Sequence, residues 1–224
     1  MHGMKGGVLW DLDGTLVDSE EKHWLSWRDT MAAEGVSITR NQFQATFGLR
    51  NDAIVPRWLT PGTSPGRIRD VGEAKEQLYR KRVRQDGLEA LPGAAEWVYR
   101  LWNEGWRQAI ASSAPLENVQ VVLEVIGLAG CFQAIVSAED VTAGKPDPQV
   151  FLLAAARLGL PPWSCVVVED ALAGIEAAER GGMASIGISR NGTHLHANLV
   201  VSSLIQLPSD AFQRLLADRN PIYN

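Results

Sequence analysis

The chain has 224 residues, 46% of them hydrophobic, enough to bury a substantial core as one large domain or two modest ones. A formal net charge of −5 with Lys and Arg scattered along the chain disfavours a nucleic-acid partner and leaves phosphorylated small molecules open. No segment reaches the roughly 18 uninterrupted apolar residues of a membrane span, and Met1 to Gly7 carries one Lys and no apolar run of signal-peptide length; a cytoplasmic location is expected.

In chain order, Gly7 to Trp10 with Leu12 is short, apolar and flanked by glycine, as a buried strand would be. The next stretch, Ser19 to Arg84, has helical apolar spacing (Trp24, Trp27, Met31; Ala74, Leu78) and nothing resembling a buried strand. Its middle, Pro56 to Gly72, is rich in proline and glycine and reads as a loop between helices. From about Leu91-Pro92-Gly93 the rhythm changes. Short apolar runs at Ile110-Ala111, Ala134 to Val136, Cys165 to Val168 and Ala184 to Ile188 alternate with amphipathic segments at Ala94 to Asn103, Leu116 to Ile126, Gln149 to Leu158 and Leu172 to Gly181.

Alternation of this kind predicts parallel strands joined by helical crossovers. The expected fold is therefore α/β, a doubly wound and mainly parallel sheet formed by residues 1–18 and 86–224, with an α-helical cap of residues 19–85 inserted after the first strand. Cys131 and Cys165 sit in apolar surroundings without metal-ligand spacing and read as buried free thiols. Trp24, Trp27, Trp97, Trp102 and Trp106 read as packing residues. His194 and His196 lie in a polar loop with no third ligand nearby.

The stretch VLWDLDGTLVDSE (Val8 to Glu20) carries Asp11 and Asp13 where the first strand ends. Asp13-Gly14 alone would be a turn signal closing a hairpin. In an open α/β sheet, however, ligands sit at the carboxyl ends of strands, and residues two apart lean to one side. Two carboxylates so close repel and need a cation. Later strand ends supply partners: Ser112 in AIASSAP, Lys145 in TAGKPDPQVF, and Glu169 with Asp170 in CVVVEDALAGIEAAERGGM. Each has a plainer reading: Ser112 as a turn or cap, Lys145 as a solvated loop lysine, the Glu-Asp pair as acids at a helix start. Together, at successive strand ends, they converge on one edge of the sheet.

Oxygen ligands without nearby His or Cys suit Mg²⁺. Asp11 would then attack phosphorus to give an aspartyl-phosphate, and Asp13 would serve as general acid and base. Ser112 and Lys145 would stabilise the phosphoryl oxygens. Asp170, the Asp11 side chain and the Asp13 carbonyl would hold the metal, with Glu169 binding it directly or through water.

The order and spacing of DLDGTLVDS, Ser112, GKPDP and VVVEDALAGIEAA resemble the four motifs of the haloacid dehalogenase superfamily over nearly the whole chain. Within it, the sequence is similar to the helical-cap branch that contains β-phosphoglucomutases and small sugar-phosphate phosphatases. The resemblance implies the same roles for Asp11, Asp13, Ser112, Lys145, Glu169 and Asp170. The acid at Asp13 argues for phosphate chemistry over carbon–halogen cleavage.

Cap residues separate hydrolase from mutase. His23 and Lys75 match residues that β-phosphoglucomutases carry, whereas the mutase's phosphate-gripping arginine is replaced by Asn51, with Arg50 one residue earlier, and Phe47 replaces a lysine. Hydrolysis of a sugar or related phosphate monoester is the expected reaction, with β-phosphoglucomutase as the alternative and His23, Arg50, Lys75 and Ser113 as substrate contacts. The rival from another class is a phospho-accepting receiver domain, which the order of the acids, the Asp13-type acid and the cap oppose. The sequence leaves the oligomeric state open.

Overall fold

The computed structural model describes residues 5–190 and 192–217. The ends of the expected core domain, residues 1–4 and 218–224, lie outside them, as does Asn191. Among the described residues, no helix is long and apolar enough to cross a membrane.

Among the described residues, six strands form one sheet: β1 (Gly7–Trp10), β2 (Arg107–Ala111), β3 (Ala134–Val136), β4 (Cys165–Glu169), β5 (Ala184–Ile188) and β6 (Leu199–Val201). Their spatial order is β3-β2-β1-β4-β5-β6 and every pairing is parallel. The chain winds outward from β1 through β2 to β3, then crosses back to β4 and proceeds the other way. The order therefore reverses between β1 and β4, the place where such sheets bind ligands.

Side-chain alternation divides the core into two layers. Val8, Trp10, Ile110, Val166 and Val168 face α5 (Ala94–Asn103), α6 (Leu116–Val125) and α9 (Ala211–Ala217). Leu9, Ala109, Ala111 and Val167 face α7 (Gln149–Arg157) and α8 (Leu172–Arg180). Covering both faces explains why β1, β4 and β5 are buried throughout and read as continuous apolar runs.

The helical cap comprises α1 (Glu20–Ala33), α2 (Arg40–Gln44), α3 (Asn51–Ile54) and α4 (Pro65–Asp86), with its own apolar cluster of Trp27, Met31, Ile38, Phe43, Ile54, Val55 and Val71. Burying a side chain as large as Trp27 contributes on the order of 2–3 kcal/mol. A capping box starts α2: Gln42 N–H donates to Thr39 Oγ1 at 3.3 Å, and Thr39 N–H donates to Gln42 Oε1 at 2.8 Å.

Sequence reading placed too much of this region in a loop. Residues 65–72 belong to α4, because Ser64 accepts from Arg67 N–H at 3.3 Å and Pro65 occupies the first helical position, where its missing N–H costs nothing. Strand β6 was also unexpected; only three residues long at the sheet edge, it has no clear alternation. Cys131 and Cys165 are buried free thiols. Trp27, Trp97 and Trp106 are packed inside, Trp24 is half-buried, and Trp102 departs from expectation by standing 41% exposed on α5.

Candidate active site

Asp11 extends β1, its N–H donating to Val168 O at 3.0 Å. The chain then turns at Gly14, where φ is +91°, a conformation that favours glycine. No hairpin follows: Gly14 N–H donates to Val17 O at 2.8 Å, and Val17 bridges to Asp13 and Ala90 outside the sheet. A Cβ at residue 14 would overlap the Asp170 carboxylate, so the glycine also makes room for an acid arriving from the end of β4.

Lys145 joins the two central strands. Its ammonium donates to Asp11 Oδ1 at 2.5 Å and to Glu169 Oε1 at 2.7 Å, with the three side chains 7%, 10% and 2% exposed. Glu169 Oε2 accepts from Ala171 N–H at 2.7 Å, so this carboxylate serves both the lysine and the start of α8. Asp170 Oδ1 accepts from Thr15 Oγ1 at 3.3 Å. Gly174 is a second glycine of necessity, since a Cβ there would overlap Glu169.

Asp11, Glu169 and Asp170 each present an oxygen within 4.8 Å of the other two. One lysine does not balance three acids, two of them buried and the third half-buried. Burial pushes the Asp11 carboxyl well above the usual range, Lys145 pulls it back, and the charges of Glu169 and Asp170 push it up again. Asp170 is pushed up to about 7, first by burial and then by Glu169. Burial would lower the Lys145 ammonium, yet Asp11 and Glu169 hold it above the ordinary lysine range. A cluster of hard oxygen donors with excess negative charge fits a divalent cation.

Asp13 belongs to a different set of contacts. Its Oδ1 accepts from Ser19 Oγ and faces His23 Nε2 at 3.4 Å. Burial would raise its carboxyl, but His23, Ser19 and the charge of Lys75 hold it below the usual range. Lys75 Nζ lies 2.8 Å from His23 Nδ1. An ammonium has no acceptor, so Nδ1 must be the unprotonated nitrogen and Nε2 carries the hydrogen that faces Asp13. Burial and Lys75 lower the His23 pKa, consistent with this neutral tautomer. Tyr79 stacks on the imidazole at 3.9 Å and fixes its plane.

Ser112 is buried at the end of β2, its N–H bonded to Val136 O and its Oγ accepting from Ala114 N–H at 3.0 Å. It makes a turn and lines the cavity at once. Ser113 lines the same cavity, a space of about 600 Å³ between cap and core. All ten expected site residues, namely Asp11, Asp13, His23, Arg50, Lys75, Ser112, Ser113, Lys145, Glu169 and Asp170, border it. Arg50 has an additional engagement: its Nη1 donates to the carbonyls of Ala138 at 3.0 Å and Val141 at 2.9 Å.

Two bordering residues were missed. Glu76 accepts from Lys75 at 2.9 and 3.0 Å, from Asn51 Nδ2 at 2.7 Å and from Asn118 Nδ2 at 2.5 Å, while Asn118 Oδ1 accepts from Arg80 at 3.0 Å. Glu76 and Arg80 come from the cap and Asn118 from the core, so the network spans the cleft. Its sequence signal was a Lys-Glu doublet on the buried side of a long helix.

Residues 6–182 match the model of the haloacid dehalogenase-like hydrolases. The chain belongs to this family. The hydrolase is 34% identical over 210 residues to hexitol phosphatase B of Escherichia coli K12, covering 89% of this chain and 93% of the relative. It is 31% identical over 201 residues to β-phosphoglucomutase of Bacillus subtilis, covering 87% and 88%. Among solved structures, β-phosphoglucomutase of Clostridium difficile superposes with a TM-score of 0.86 at 26% identity, over 96% of this chain and 98% of that one. CbbY of Rhodobacter sphaeroides in complex with phosphate superposes with a TM-score of 0.81 at 27% identity, over 91% and 96%. Its doubly wound sheet and helical cap are those of this enzyme family.

Proposed function

We propose that this hydrolase is a Mg²⁺-dependent phosphatase that cleaves a small phosphate monoester, a sugar phosphate or related metabolite, through an aspartyl-phosphate at Asp11. The observation that carries this reading is the convergence of Asp11, Lys145, Glu169 and Asp170 at the point where the strand order reverses. The phosphatases and phosphomutases among its relatives support it.

Asp11 attacks phosphorus and forms the P–O bond as the ester oxygen departs, taking a proton from Asp13. Asp13 then removes a proton from the water that attacks the same phosphorus, which frees phosphate and restores the Asp11 carboxylate. Asp13 is ionised while its neighbours are Ser19 and His23; arrival of a phosphate dianion beside it raises its pKa and loads the proton. Ser112 and Lys145 stabilise charge on the phosphoryl oxygens. Asp11, Glu169 and Asp170, with the Asp13 carbonyl, would hold Mg²⁺, which when bound offsets the charge of acids and phosphate.

Hydrolase is preferred to mutase because two of the cap cations facing the cavity, Lys75 and Arg50, are engaged by protein acceptors. Lys75 is held by Glu76 and Arg50 by two carbonyls, which leaves the exposed Arg69 as the lining arginine without an ion pair or hydrogen bond among the described residues. A mutase must grip a second phosphate. The alternative, β-phosphoglucomutase, rests on the His23 and Lys75 matches. We place the enzyme in the cytoplasm, where two free buried thiols are stable.

The test is a panel of phosphate monoesters with Mg²⁺ that includes β-glucose 1-phosphate with catalytic glucose 1,6-bisphosphate. Release of free phosphate is expected. Glucose 6-phosphate formed without free phosphate would overturn the hydrolase reading.

A further inference from the structure

The loop from Ser137 to Pro148, between β3 and α7, carries the lysine that touches Asp11, and a cap residue braces it. Within the loop, Ser137 and Asp140 close a capping box, and Gln149 Oε1 accepts from the amides of Thr142 at 2.9 Å and Ala143 at 3.1 Å. The carbonyls of Ala138 and Val141 point the other way, toward Arg50 Nη1. The arginine stem lies on Gly144, where a Cβ would come within 3.1 Å of Arg50 Cδ. Residue 145 follows directly. One cap side chain therefore holds three positions of the turn whose next residue bridges Asp11 and Glu169.

A charged donor forms stronger bonds to carbonyls than a neutral one, and Arg50 Nη1 has two N–H groups, one for each of the two carbonyls. Among the described residues, Arg50 also makes an ion pair to Asp52 at 3.4 Å on the exposed rim.

We propose that Arg50 is a positioning residue that couples seating of the cap to placement of Lys145. With the cap docked, Arg50 fixes the turn and Lys145 reaches both acids; with the cap lifted, the two carbonyls lose their donor and the turn loosens. Catalytic charge is then complete only when the cavity is closed, and Arg50 acts through the protein rather than on substrate. This inference rests on Lys145 being the phosphoryl-stabilising group of the proposed phosphatase.

The test compares full-length wild type with Arg50→Ala and Arg50→Lys. In hydrogen exchange, the amides of Thr142 and Ala143 should exchange about tenfold faster in Arg50→Ala, with Arg50→Lys intermediate. In steady-state kinetics, kcat for p-nitrophenyl phosphate should fall about tenfold in Arg50→Ala, and by the same factor for glucose 1,6-bisphosphate. Unchanged exchange between residues 138 and 148 would overturn the proposal. So would a loss confined to the bisphosphate, which would make Arg50 a substrate ligand. Full activity of Asp11→Asn would instead overturn the phosphatase reading, while the exchange comparison would still decide whether Arg50 braces the loop.

Discussion

Lys145 Nζ lies 2.5 Å from Asp11 Oδ1, joining groups 134 residues apart in the chain. The contact also places the ammonium against Glu169, so one cation serves the ends of both central strands. Replacing it by Met keeps the stem and removes the charge, leaving two buried carboxylates facing each other. Lys145→Met is expected to lower kcat/KM for phosphate esters by roughly 10²–10³, the cost of losing a preorganised charge at a developing anion. Circular dichroism should show an intact fold. Activity within a factor of two of wild type would remove Lys145 from the chemistry.

Gly174 tests the same site from behind. A methyl group there would overlap the Glu169 carboxylate, which would have to move and take its hydrogen bond with Lys145 along. Alanine favours a helix interior over glycine by about 1 kcal/mol, so the local backbone preference does not oppose the change. Gly174→Ala is expected to fold, with Tm within a few degrees of wild type, and to lose about 100-fold in kcat/KM because the acid is misplaced. Loss of the fold, or retention of full activity, would count against the packing argument.

Acid stability should depend on Asp140. Its carboxylate accepts from Arg157 and from Ser137 N–H and Oγ at 2.9 and 3.0 Å, and the Arg157 bond leads the causes that hold it down to about 2, against an ordinary 3.8. A carboxyl lowered on folding contributes stability that is present above about pH 4 and is lost as pH falls toward 2. Because Arg157 is 37% exposed, solvent screening limits the contribution to about 1 kcal/mol or less. The urea midpoint of Asp140→Asn should therefore lie below wild type at pH 7 and pH 5, with the gap closing below pH 4. A gap that stays constant down to pH 2.5 would show that the ionised form is not what stabilises the loop.

The sheet was legible because its strands are buried on both faces, which writes them as unbroken apolar runs such as Cys165 to Val168. The acids and Lys145 were legible because the topology brings strand ends together, so position along the chain stands in for position in space. The short edge strand β6 lacks that signature. The start of α4 was hidden inside a segment whose prolines and glycines read as loop, although Ser64-Pro65 is a helix-start signal. Arg50, Glu76 and Asn118 show a further limit. Their partners lie across the cleft, at carbonyls and amides whose location depends on how the cap is seated, and periodicity does not encode that docking.

The central claim is that Asp11 becomes covalently phosphorylated during turnover. The direct measurement is to mix enzyme, Mg²⁺ and p-nitrophenyl phosphate, quench in acid within one turnover, reduce with borohydride and map the peptides by mass spectrometry. An acyl phosphate at residue 11 is reduced to homoserine at that position, and the account predicts homoserine at position 11 only when substrate is present. Turnover with Asp11 left unmodified, or reduction at another residue, would contradict it.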